Sequence, residues 1–275
     1  MSDERTASGL GPTSGREDET FAVRRLAPHV YVITELGCVH CYLVQGRDWV
    51  LLVDSGLGCG NVRAVVQRLT DRPVVVVNTH GHPDHTGGNH RFESIALHGA
   101  EADWLERVVP GADRIEFDGG ALPVDRQEAP WGLAHRLSHG ETLDLGGGVA
   151  LEVWHTPGHT PGSLCLLDEA SRFVFAGDTA YAGLVALHFD ESDLSAYAET
   201  VKNLEAIGWE TNLVLPGHGE TPLDGGILLE VGAGVRRLLN GEGQYREGRW
   251  NGEPVFDVGL GRFSVRIRRS FKDPA

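Results

Sequence analysis

Residues 80 to 85 read His-Gly-His-Pro-Asp-His and follow directly on VVVVN (74–78), an unbroken β-branched run that reads as a buried strand. Neutral imidazole and carboxylate are preferred ligands of zinc and similar divalent ions. His80 and His82, at i and i+2 on an extended loop, can converge on one ion. Asp84 and His85, two and three residues further on, point to a neighbouring position, so one turn can feed two ions. Thr86, Gly87 and Gly88 allow a tight backbone into a following helix. A merely polar, histidine-rich turn is the plainer explanation, but it leaves the matching residues downstream unexplained. His159 stands in TPGHTPGS, Asp178 in AGDTAY and His218 in PGHGE, each beyond a strand-like stretch (149–154, 172–177, 212–215) and each beside glycine. Glycine at a strand end leaves room for the neighbouring side chain to project into a shared cleft.

The elements that must position these groups alternate short apolar runs with glycine-rich breaks. VYVIT (30–34), CYLVQ (41–45) and WVLLV (49–53) read as consecutive antiparallel strands, and 61–69 as a helix with Val62, Val65, Val66 and Leu69 on one face. Residues 94–98 read as a strand and 100–109 as a helix. The 110–140 stretch dissolves into Pro, Gly and charge, which predicts an irregular substrate loop containing Trp131. Strand patterns resume at 149–154, 164–168, 172–177 and 212–217. Ser192 is placed to cap a helix through Leu204, and 227–240 reads as another helix. The 263–271 stretch reads as an edge strand or a basic surface run. Residues 1–20 predict a flexible tail, 21–275 a single domain, and 241–275 an extension of it. Two batches of strands, each followed by helices, predict two sheets packed face to face with helices outside.

The chain has 275 residues, 41% hydrophobic and 23% charged, with a formal net charge of −15. A core can be buried, and the negative field disfavours nucleic acid and anionic membrane surfaces as partners. No window approaches a membrane span, and the polar start lacks the apolar run of a signal peptide, so a cytoplasmic protein is expected. Four cysteines do not make a disulfide framework. Cys38 and Cys41 form a CxxC that reads as core rather than as a redox pair, there being no second CxxC. His188 reads as a surface histidine, while His139 and His155 are candidates to support ligands.

THGHPDHTGGN, PGHTPGSLCLLD, FAGDTAY and the DSG turn at Asp54 to Gly56 together resemble the metallo-β-lactamase superfamily, over roughly Val30 to Asn240. The resemblance implies an α/β (α+β) αββα sandwich, two mixed β-sheets flanked by helices, with two metals at one edge. It implies that His80, His82 and His159 hold the first ion, that Asp84, His85 and His218 hold the second, and that Asp178 bridges them. The ions would be Zn2+ first, with Mn, Co or Fe accepting the same donors. Dedicated β-lactamases of this fold lack a carboxylate at the Asp178 position, and the chain looks nearest to its acyl-CoA thioesterase, lactonase and glyoxalase II-like branch.

That branch implies hydrolysis of an ester-like acyl bond in a small-molecule substrate (thioester, lactone or ester) by a metal-bridging hydroxide. Asp84 would orient the hydroxide. Tyr181, three residues after Asp178, matches a tyrosine that lactonases place near the substrate carbonyl, where a phenol can stabilise an oxyanion. A phosphodiesterase or promiscuous β-lactamase on the same site, and an iron-dependent persulfide or oxygen-chemistry enzyme of the same fold, stay open as alternatives. So does the oligomeric state, a homodimer being one option.

Overall fold

The computed structural model describes residues 20–102, 114–117, 120–123 and 133–272; the expected N-terminal tail, most of the 100–109 helix and Trp131 fall outside these. The chain opens as an antiparallel meander of β1 (Phe21–Ala27), β2 (Val30–Glu35), β3 (Val39–Gln45) and β4 (Val50–Val53). It crosses through α1 (Val62–Leu69) to β5 (Val74–Val77), which lies parallel to β4. The Asn61 side chain caps α1 by accepting the Ala64 N–H, and Val62, Val65 and Val66 turn inward as the spacing predicts. The short helix α2 (Pro83–Thr86) precedes β6 (Ile95–His98), parallel to β5.

The 110–140 stretch is not wholly irregular, which corrects the sequence expectation. β7 (Arg114–Phe117) and β8 (Gly120–Pro123) form an antiparallel ribbon, and β9 (Leu133–Leu137) adds to the edge of β6 in parallel. In LAHRL the leucines are too few to show a period, so the free edge of β6 defines this strand more than its own pattern does. The first sheet then runs β1-β2-β3-β4-β5-β6-β9.

The second sheet contains β10 (Thr142–Gly146), β11 (Val149–His155), β12 (Leu164–Asp168) and β13 (Phe173–Gly177), all antiparallel. The chain leaves it for β14 (Leu184–Leu187) and α3 (Leu194–Ile207), then returns as β15 (Leu213–Pro216), parallel to β13, and the short β16 (Leu223–Asp224). The cap of α3 is Asp193, whose Oδ1 accepts the N–H groups of Ser195 and Ala196. Ser192, expected in that role, instead donates its hydroxyl to the His159 carbonyl at 2.8 Å. After α4 (Gly226–Leu239), β17 (Gln244–Trp250), β18 (Glu253–Gly259) and β19 (Ser264–Arg268) build a third sheet in the order β14-β19-β18-β17, and α5 (Arg269–Lys272) follows. The 263–271 stretch is therefore neither an edge nor a bare surface. Val265 and Ile267 are buried, while Arg266 pairs with Asp257 and Arg268 with Asp190.

Period-two alternation decides which layer each side chain joins. In β12, Leu164 and Leu166 pack between the two large sheets with Val32, Tyr42, Leu51 and Phe175. Cys165 and Leu167 face the other way, against Tyr197 and Val201 of α3, Val231 of α4 and Val265 of β19. The outer face of the first sheet is covered by α1 through Val62, Val65 and Val66 against Leu43, Leu52 and Val76. Helix, sheet, sheet, helix is the expected αββα order, with the third sheet added beside α3 and α4.

Candidate metal centre

The seven candidate side chains come from loops beyond the ends of four strands: β5 leads to His80, His82 and, through α2, Asp84 and His85; β11 leads to His159, β13 to Asp178 and β15 to His218. The structure brings all of them together in two clusters. His80, His82 and His159 form one; Asp84, His85 and His218 form the other; His80, His85 and Asp178 also lie within reach of one another. Asp178 spans both, its Oδ2 being 3.6 Å from His159 Nε2 and its Oδ1 3.3 Å from His85 Nε2 and 3.4 Å from His218 Nε2. Gly217 is required here, because a Cβ would meet His85 Cε1 at 2.6 Å and Asp178 Oδ1 at 2.8 Å. Any side chain there would invade the centre.

The outward nitrogens show how the inner ones are oriented. His82 Nε2 donates to Glu191 Oε1 at 2.9 Å, and His159 Nδ1 donates to the Ala186 carbonyl at 2.6 Å. On the other side His85 Nδ1 donates to Asp54 Oδ2 at 2.8 Å and His218 Nδ1 to the Cys38 carbonyl at 3.1 Å. A neutral imidazole has one N–H, so the inner nitrogens of the first cluster carry lone pairs. Those lone pairs face each other: His159 Nε2 lies 3.0 Å from His82 Nδ1 and 3.2 Å from His80 Nε2, while in the second cluster the ring nitrogens His85 Nε2 and His218 Nε2 converge at 3.3 Å. Lone pairs directed at one another call for a cation between them. A tetrahedral ion with bonds of about 2.0–2.1 Å sets its ligands roughly 3.4 Å apart, so the donor set fits a divalent metal in each cluster.

The two halves differ in electrostatics. Burial, then neighbouring imidazoles, holds His80 well below the usual histidine range and pushes His159 down to about 4, leaving both as neutral donors. In the other half burial opposes charge, but the carboxylates win: Asp54, Asp178 and Asp84 lift His85 well above its ordinary value, and Asp178 and Asp84 push His218 up to about 9. Burial likewise opposes ionisation of Asp84 and Asp178, yet the histidines hold both carboxyls well below the ordinary range. The second cluster thus gathers carboxylates, and Asp178 Oδ1, buried without a hydrogen-bond donor among the described residues, is an acceptor suited to a cation.

Tyr181 stands beside His218, ring centres 5.9 Å apart, but its hydroxyl donates to the Leu184 carbonyl. Burial and Asp178 raise its phenol well above the ordinary value, so it is a neutral donor. Cys41 is buried core, as expected. Cys38 is exposed, which the CxxC reading did not foresee, and it meets the centre through its carbonyl rather than its sulfur. His188, expected on the surface, is buried between Phe189 and Trp250 at ring distances of 4.3 and 4.8 Å. His155 stacks on His98 and donates to the Pro161 carbonyl, and His139 accepts the His155 N–H, so neither supports a ligand directly.

Phe189 also packs on His82, 4.9 Å between ring centres, and so joins the first cluster to a cavity of about 650 Å3. Phe189, Glu191, Trp250 and Arg268 are among the residues lining that cavity. Sequence reasoning missed Asp54 as the partner of His85, Glu191 as the partner of His82, and Glu101. None has a local signal except Asp54, which stood in the DSG turn.

Residues 36–218 match the family model described as the metallo-beta-lactamase superfamily. Over 207 residues the chain is 31% identical to the acyl-coenzyme A thioesterase MBLAC2 of Bos taurus, covering 66% of this chain and 72% of that one. It is 30% identical over 233 residues to the protein of the same name from Gallus gallus, covering 73% and 81%. A hydroxyacylglutathione hydrolase of Nitrosococcus oceani is 31% identical over 157 residues, covering 56% and 52%. Among solved structures, a metallo-beta-lactamase from Pontibacter korlensis superposes with a TM-score of 0.60 at 19% identity, covering 78% of this chain and 99% of that one. At that identity the likeness concerns the fold alone.

Proposed function

The chain belongs to the metallo-beta-lactamase superfamily and is a metal-dependent hydrolase, and from that premise we propose that it is a dinuclear zinc enzyme cleaving thioesters of small acyl compounds. The observation that carries the proposal is the pair of converging His/Asp donor clusters joined by Asp178. His80, His82 and His159 would hold one ion, Asp84, His85 and His218 the other, and Asp178 both. Bound there, divalent ions supply a water of lowered pKa as nucleophile and polarise the carbonyl oxygen.

The protein's own residues do the rest. Asp84, kept ionised by His85 and His218, accepts a proton or hydrogen bond from the attacking water and orients it. Tyr181 is the neutral donor for the developing oxyanion, its O–H turning its hydrogen bond from the Leu184 carbonyl to the substrate oxygen. Phe189 shields His82 and His159 from water, and the cavity behind it accommodates the substrate.

Thioesters are favoured over the other ester-like bonds because two named relatives act on acyl-coenzyme A and an acyl-glutathione. A neutral tyrosine also suits one carbonyl oxygen better than a phosphoryl group, which favours Arg or Lys. The test is a panel of thioesters, lactones, aryl esters, β-lactams and bis-aryl phosphodiesters. Thioester turnover should exceed phosphodiester turnover by on the order of tenfold in kcat/KM, about 1.4 kcal/mol in barrier. Faster phosphodiester cleavage would move the assignment to a phosphodiesterase.

A further inference from the structure

Glu101 is a fully buried carboxylate outside the ligand set, and its two oxygens go to two different ligand loops. Oε1 accepts the N–H of Gly81, the residue between His80 and His82, at 2.6 Å. Oε2 accepts the hydroxyl of Thr160, next to His159, at 2.9 Å and the N–H of Gly162 at 2.8 Å. The approach is close: a Cβ on Gly162 would fall 2.4 Å from the Glu101 backbone nitrogen. Every ligand of the first cluster therefore lies within one or two residues of a group bound to this side chain. The second cluster takes nothing from it; His85 is held by Asp54 and His218 by the Cys38 carbonyl.

We infer that Glu101 is the positioning residue of the first metal site, a carboxylate clasp that fixes His80, His82 and His159 relative to one another while leaving the second site independent. The inference rests on the dinuclear reading. A carboxyl group suits this work, because each of its two oxygens can accept a backbone N–H, one from either loop. An amide in its place presents an NH2 either to Gly81 N–H or to Gly162 N–H, and although the Thr160 hydroxyl can turn to accept, one loop loses its anchor in each orientation. Removing a supporting partner of this kind weakens metal affinity by about 10–100-fold.

The test is zinc occupancy of the full chain, as parent and as Glu101→Gln, dialysed against graded free-zinc buffers and read by elemental analysis. The parent should hold two ions. Glu101→Gln should lose one of them at a free-zinc level about 10–100 times higher than the parent does, with the other within about twofold. Anomalous diffraction at the zinc edge should locate the retained ion beside His85 and His218. Thr160→Val, which removes the hydroxyl's bonds to Glu101 and to Ser163 and keeps the carboxylate, should give the same loss in weaker form and serves if Glu101→Gln does not fold. Loss of both ions in step, or of neither, overturns the inference. A parent that holds fewer than two ions overturns the dinuclear reading instead.

Discussion

His82 Nδ1 and His159 Nε2 lie 3.0 Å apart, and neither nitrogen carries a proton to share, because each ring has spent its one N–H on Glu191 or on the Ala186 carbonyl. Such a contact is repulsive without a cation. Chelation of the purified protein should therefore remove about two ions per chain and lower the thermal midpoint, with recovery on adding Zn2+. Calorimetry with and without metal measures this; a midpoint indifferent to metal contradicts the lone-pair argument.

Among the described residues, Asp178 is the anion that faces both clusters. Asp178→Asn should reduce metal occupancy and thioester turnover together, by at least tenfold in turnover. Cys38→Ser, which alters only a sulfur and leaves the carbonyl toward His218 in place, should leave both nearly unchanged. Metal content and initial rates on the same preparations decide it, and a Cys38→Ser preparation that loses metal would give the sulfur a ligand role.

In the proposed role Tyr181 exchanges its bond to Leu184 for one to the substrate. A donor needed chiefly in the transition state should show in kcat, so Tyr181→Phe should cut kcat by about 10–100-fold with little change in KM. If every acyl substrate is turned over normally by the variant, Tyr181 is a packing residue.

His188 is buried, its ring nitrogens have no hydrogen-bond partner among the described residues, and burial followed by the charge of Arg266 pushes its pKa down to about 4. The unfolded chain takes up this proton near 6.5, before the folded chain does. The contribution of His188 to stability is complete above about pH 6.5 and is lost as the pH falls toward 4. Urea titrations of metal-free protein across that window should show a shallower acid loss for His188→Gln than for the parent. Parallel curves would mean that His188 titrates normally.

Much of the centre was legible because its ligands are local in sequence or tied to strand ends. His80 through His85 crowd into one turn, and LCLLD announces a strand buried on both faces. What stayed hidden depends on partners far along the chain. Glu101 looks like any helical glutamate until its bonds to Gly81 and Gly162 are seen. Ser192 and Asp193 are both good capping residues, and the His159 carbonyl, invisible in the sequence, claims Ser192. The alternation in SVRIR was present, but only Asp257 and Asp190 turn its arginines into a paired interior strand. Where 110–140 seemed structureless, the edge of β6 supplied the missing order to Leu133–Leu137.

The Ala186 carbonyl that orients His159 belongs to β14, and the strand hydrogen-bonded to β14 is β19, near the far end of the chain. A nascent polypeptide emerging from the ribosome has all seven candidate ligands in hand once His218 is out, yet β14 must wait for Ser264–Arg268 before it has a strand to lie against. Its ladder is a long-range pairing, the kind that forms late because a large loop must close first. Synthesis of the last candidate ligand and maturation of the first cluster are thus separate events, and the second depends on residues outside the candidate set.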